Sequence, residues 1–81
     1  MEYQTIFLIL VQKIKEILPE VQLEDITPDV SLRDVGANSI DRMDILVSSM
    51  QQLNVKVPMV NFAKAQTLHE LVLIFQESAR S

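Results

Sequence analysis

The residues best placed to do chemistry lie in the stretch Asp34-Val35-Gly36-Ala37-Asn38-Ser39-Ile40-Asp41, where a hydroxyl stands at the expected opening of an apolar helix. Gly36, the single glycine of the chain, gives the backbone freedom for a sharp turn, and Asn38 is suited to cap the helix by accepting from the amides that follow. Ser39 then occupies the first helical position with its hydroxyl outward. A phosphate ester there would meet unpaired N–H groups and the positive end of the helix dipole, so the position favours a permanent anion. Gly followed by Asn-Ser ahead of a helix is also ordinary capping, and the local pattern does not separate the two readings.

Other chemistry is missing from the sequence. Ser39 has no neighbouring base, so its hydroxyl stays inert until a separate enzyme activates it. His69, the one histidine, is far along the chain and reads as a solvated helix residue rather than a general base. Asp41 and Asp44 share a helical face at i, i+3 but are too few for a metal cage, and Glu24, Asp25 and Asp29 read as loop solvation. We therefore expect no catalytic residue and no metal site. With no cysteine, any thiol must be imported.

The elements that must hold Ser39 follow from apolar spacing. From Tyr3 to Leu18, the positions Phe7, Leu10, Val11, Ile14, Ile17 and Leu18 repeat with helical period, and Pro19 ends that helix. A connection of about twenty residues follows, long for a helical bundle. Leu23, Ile26, Val30, Leu32 and Val35 are expected to pin it across the bundle, with Asp29 or Ser31 capping a single turn. The second helix should run from about Ser39 to Leu53. In it Ile45, Leu46, Ser49 and Leu53 form one stripe and Ile40, Met43, Val47 and Met50 a neighbouring one. The combined arc spans roughly 220°, more than one core needs, so part of it should stay exposed. Methionines on such a surface suit contact with several partners in turn.

A short third helix is expected around Met59 to Ala63 with Pro58 as its first residue. Thr67 with Glu70 reads as a capping box that starts a last helix built on Leu68, Leu71, Val72 and Phe75, and the tail from Ser78 to Ser81 should fray.

The 81 residues have room for one small domain, 1–81, which should bury about 60% of its unfolded surface. An apolar content of 48% with no tryptophan argues for an aliphatic helical core. Eleven acidic residues against seven basic ones leave a net charge of −4 and no basic stripe, which speaks against nucleic acid. The apolar run from Ile6 to Val11 is far too short for a bilayer span, and the start lacks the basic character of a secretion signal. No membrane association and a cytoplasmic location are expected.

Gly36-Ala37-Asn38-Ser39-Ile40-Asp41, preceded by Val30-Ser31-Leu32-Arg33-Asp34-Val35 and followed by Met43-Asp44-Ile45-Leu46, resembles the phosphopantetheine attachment region of acyl carrier proteins. The likeness continues through Val55-Lys56-Val57-Pro58 and Thr67-Leu68-His69-Glu70-Leu71, and so covers nearly the whole chain. It implies an all-α fold, a four-helix bundle with a long loop between helices 1 and 2 and a short third helix. It also implies 4'-phosphopantetheine covalently bound to Ser39 and installed by a phosphopantetheinyl transferase. The protein is then a monomeric substrate of other enzymes, not an enzyme. Most carriers have Asp-Ser-Leu where this chain reads Asn38-Ser39-Ile40, and the substitution removes a carboxylate that could help hold the transferase's metal.

The Asn38-Ser39-Ile40-Asp41-Arg42 version is similar to stand-alone donor carriers of the β-branching cassette in bacterial polyketide synthesis. Such carriers hold malonyl and then acetyl groups, served by an acyltransferase and a ketosynthase-like decarboxylase, and give acetyl to an HMG-synthase-like enzyme. Partner contacts are expected on Asp34, Asn38, Ile40, Asp41, Met43, Asp44, Val47 and Met50, with ordinary core packing the alternative for Met43 and Met50. Two alternatives stay open: a carrier of another pathway, for fatty acids, other polyketides or peptides, and a non-carrier helical module that uses the Met-rich face and leaves Ser39 unmodified.

Overall fold

Helical periodicity in the sequence becomes three α-helices and two 3-10 turns in the computed structural model, which describes residues 1–80. The helices are α1 (Tyr3–Ile17), α2 (Ser39–Leu53) and α3 (Leu68–Arg80). The 3-10 turns are Leu23–Asp25 in the long loop and Met59–Phe62 between α2 and α3. The expected short third helix is thus a single tight turn, with Pro58 as its cap rather than its first residue. Four residues that carry one inward side chain, Phe62, have little reason to extend further.

α1 is the central element and packs on both α2 and α3, while the Met59–Phe62 turn packs on α3. Its inward stripe is Ile6, Leu10 and Ile14, each fully buried, continued by Leu18 at the C-cap. Phe7, Val11 and Ile17, expected in that stripe, are only partly buried at its flanks, and Ile6 takes the central place. Across from α1 lie Ile45, Leu46 and Leu53 of α2 and Leu68, Leu71, Val72 and Phe75 of α3. Ser49 shares the interior without leaving its hydroxyl unpaired, since it donates to the Ile45 carbonyl one turn back, at 2.7 Å. Phe62 and Phe75 meet with ring centroids 5.3 Å apart in a tilted contact.

The long loop is structural rather than slack. Ile26 and Leu32 are buried, and Val30 and Val35 pack partly against the core. Leu23 does not pin the loop: it is 62% exposed, because the Leu23–Asp25 turn directs it to solvent. Within the loop Ser31 and Asp34 exchange hydrogen bonds, Ser31 N–H to Asp34 at 3.0 Å and Asp34 N–H to Ser31 Oγ at 2.9 Å, and so cap a single turn. Asp29 accepts instead from the Thr27 hydroxyl, which holds its carboxyl below the usual aspartate range.

The loop also completes α3. Carbonyls of Val30 and Pro28 accept from the amides of Leu68 and His69, both at 2.9 Å. Thr67 and Glu70 close the capping box, Glu70 N–H to Thr67 Oγ1 at 3.2 Å and Thr67 N–H to Glu70 Oε1 at 3.0 Å. Glu70 accepts from the Gln66 amide as well, and these amide donors hold its carboxyl below the ordinary glutamate range. α3 continues through Arg80, so Ser78 to Arg80, expected to fray, are helical in this structure; Ser81, the last part of that expectation, lies outside the described residues. Among the described residues no helix is long and apolar enough to cross a membrane.

Burial decides where substitutions matter. Phe75→Ala should lower stability by about 3–5 kcal/mol, since a fully buried ring leaves a cavity, whereas Leu23→Ala should cost less than about 0.5 kcal/mol. Urea unfolding followed by circular dichroism checks both, and comparable losses would contradict this distribution of the core.

Candidate functional site

The entry into α2 is built from two consecutive capping devices. Gly36 adopts φ +101°, and the amides of Gly36 and Ala37 donate to the carbonyls of Arg33 and Leu32, both at 3.0 Å. This is a Schellman termination of the preceding turn, with buried Ala37 and Leu32 as its apolar pair. The backbone then extends through Asn38, at φ −80° and ψ −176°, and α2 begins. Asn38 Oδ1 accepts from the Asp41 amide at 2.8 Å, and Asp41 returns its carboxylate to the Asn38 amide at 3.3 Å. The cap expected from Asn38 is therefore reciprocal, and Asp41, expected as a charge presented to partners, has a carboxylate oxygen engaged inside it.

Ser39 sits at the first position of α2 and is exposed, as its place in the sequence leads one to expect. No hydrogen bond among the described residues takes the amides of Ser39 and Ile40. The Arg42 guanidinium, one turn on, donates from Nη2 to Ser39 Oγ at 3.3 Å. Sequence reasoning did not join Arg42 to Ser39, although the i, i+3 spacing makes them neighbours on the helix surface. His69 is elsewhere: its Nδ1 lies 2.7 Å from the Tyr3 hydroxyl, and its amide serves the Pro28 carbonyl.

The two stripes of α2 separate in space. Ile45, Leu46, Ser49 and Leu53 are buried, while Ile40 is 72% exposed, Met43 56% and Val47 37%. Three of the four expected partner residues of the apolar stripe thus form an exposed face beside Ser39. Met50 departs from it: the residue packs partly against the core, and its sulfur accepts from the Val57 amide at 3.3 Å. Asp44 is exposed on the same helix and forms no ion pair among the described residues. Asp34 is exposed too, with one carboxylate oxygen committed to the Ser31 amide. On the other flank of Ser39, a cleft of about 770 Å³ is lined by Arg42, Arg33, Asp34, Ser31, Gln66 and Thr67, with Leu46, Phe62 and Leu71 among its apolar lining.

Comparison with known proteins identifies the family of the chain. The family model described as the phosphopantetheine attachment site matches residues 9–74, most of the chain. The chain belongs to the phosphopantetheine-attachment family, the acyl carrier proteins. It is 30% identical over 81 residues to the polyketide biosynthesis acyl-carrier-protein AcpK of Bacillus subtilis (strain 168), covering all of this chain and 99% of that one. In three dimensions it is similar to a chain of nearly equal length in the crystal structure of the curacin biosynthetic pathway HMG synthase in complex with acetyl donor-ACP. The TM-score is 0.84 and the identity 28%, over 98% of this chain and 99% of that one.

The carrier is thus a substrate for other enzymes rather than a catalyst, and phosphopantetheine is the group its family bears. The neighbourhood of Ser39 suits such a group: an exposed hydroxyl, two unengaged amides at a helix start and one guanidinium together favour a phosphodiester.

The cap makes a specific demand. Asn38→Ala should cost about 0.5–2 kcal/mol, and Asn38→Asp much less, because only the second keeps an acceptor for the Asp41 amide. Thermal or urea unfolding of the two variants measures this, and equal losses would show that the cap does not hold α2.

Proposed function

We propose that Ser39 is the phosphopantetheine attachment residue and that the chain is a discrete donor carrier of polyketide β-branching, one carrier domain over residues 1–81. In this role the protein works in the cytoplasm as a monomer. The observation that carries the attachment site is the exposed Ser39 hydroxyl at an open helix start. The likeness to a carrier solved together with an HMG synthase supports the narrower role.

The carrier's own residues do three things. Asn38 and Asp41 lock the first turn of α2, so Ser39 is presented in one orientation to a transferase. The unengaged amides of Ser39 and Ile40 favour negative charge where the ester forms. The Ile40, Met43 and Val47 face supplies apolar contact beside the attachment point, with Asp44, Asp34 and the rim of the cap, Asn38 and Asp41, supplying polar and charged contact. When bound, the arm contributes a terminal thiol that carries malonyl or acetyl as a thioester. Tethering replaces diffusion by a high effective concentration at each partner's site.

The partners of this reading are a phosphopantetheinyl transferase, an acyltransferase, a ketosynthase-like decarboxylase and an HMG-synthase-like enzyme. Because Asp41 is partly spent in the cap and Met50 partly spent on the core, Ile40 and Met43 should dominate recognition.

Incubation with coenzyme A and a broad-specificity transferase should add the mass of phosphopantetheine to the wild-type chain and nothing to Ser39→Ala. A gain that survives the substitution would remove Ser39 from the account. Once loaded, acetyl should pass to an HMG-synthase-like enzyme, and Met43→Glu should slow that transfer by about tenfold or more, as expected when an apolar anchor that the partner covers is lost. Unchanged transfer would place recognition elsewhere.

A further inference from the structure

We propose that Arg42 is a positioning residue for the root of the arm: its guanidinium holds the phosphodiester on the cleft side of α2, away from the Ile40, Met43 and Val47 face. The inference rests on Ser39 being the attachment residue.

Arg42 is an underused cation. Its Nη2 donates to the neutral Ser39 hydroxyl at 3.3 Å, and among the described residues it forms no ion pair, although Asp34 lines the same cleft and Asp41 precedes it. Asp41 does not pair with it, because side chains at i and i+1 diverge on a helix and the Asp41 carboxylate turns back to the Asn38 amide. A guanidinium presents five donors in a planar fork that matches phosphate oxygens in pairs, and a hydroxyl satisfies only one of them. Esterification of Ser39 would replace that weak neutral contact by a charged acceptor joined to the same oxygen.

Direction follows from helix geometry. At about 100° per residue, Arg42 lies about 60° to one side of Ser39, while Met43, Val47 and Ile40 lie about 40° to 100° to the other. The same Arg42 side chain lines the cleft, so the cation marks the flank of Ser39 opposite the exposed apolar face. The open amides of Ser39 and Ile40 attract an anion along the helix axis but do not choose a side. Arg42 makes that choice. An arm whose root leans toward the cleft leaves the apolar face uncovered for a docking partner.

An ion pair at the surface binds weakly, so the effect should appear in orientation and be screened by salt. The test uses the full chain as wild type, Arg42→Ala and Arg42→Lys, each treated with coenzyme A and transferase and checked by intact mass. The phosphodiester is then observed by ³¹P NMR and the Arg42 Nε–H by ¹⁵N correlation.

Arm attachment should shift the Arg42 Nε–H signal in the wild type. The ³¹P resonance should move in Arg42→Ala, lie between in Arg42→Lys, and converge among the three at about 0.5 M salt. An Nε–H signal untouched by the arm, or a ³¹P resonance common to all three proteins, would overturn the role of Arg42 while leaving Ser39 in place. A difference that salt does not reduce would assign it to altered packing and overturn the role equally. Failure of the wild type to gain the arm is a separate result, read by mass, and removes the attachment site itself.

Discussion

The first amides of a helix must find acceptors or meet solvent, and in this protein the two helices that follow long connections resolve that demand in opposite ways. α3 is sealed: Leu68 and His69 donate to carbonyls of the long loop, and Thr67 and Glu70 close the rest. α2 is left open: Asn38 takes the Asp41 amide, but those of Ser39 and Ile40 remain unengaged at the surface. A sealed start fixes loop to bundle, and an open one keeps a place for an anion. The role proposed for Ser39 rests on that difference.

Packing serves the same end. α1 holds both other helices, so α2 is fixed along its Ile45, Leu46 and Leu53 face without surrendering its outer face. Side chains that would ordinarily seek the interior, Ile40 and Met43 above all, stay in water beside the hydroxyl. Exposed apolar area of this kind gains its free energy only when a partner covers it. In the proposed role several enzymes would grip the carrier in succession, and the adaptable thioether of Met43 suits such a surface.

Much of this was legible in the sequence because it depends on local rules. The bounds of α2, the Asn38 cap, the Thr67 and Glu70 box and the separation of the buried stripe from the exposed one all follow from spacing within a turn or two. What spacing could not supply was the tertiary choice. Leu23 and Ile26 are equally apolar, yet only Ile26 goes inside, because the fold of the Leu23–Asp25 turn decides. Met50 belongs to the outer stripe by angle but turns its sulfur to the Val57 amide, a contact made across the end of the helix. Ile6 outranks Phe7 in the core because α1 is covered on two sides by α2 and α3. The partners of the first α3 amides, the carbonyls of Val30 and Pro28 in the distant loop, leave no local mark at all.

A carrier needs no catalytic constellation; it needs one reactive atom held still, and a surface beside it. The most direct measurement is tandem mass spectrometry of proteolytic peptides after transfer from coenzyme A. The account predicts that the added phosphopantetheine maps to Ser39 alone. A modification found on another residue such as Ser31 or Ser48, or no modification on any peptide, would contradict it.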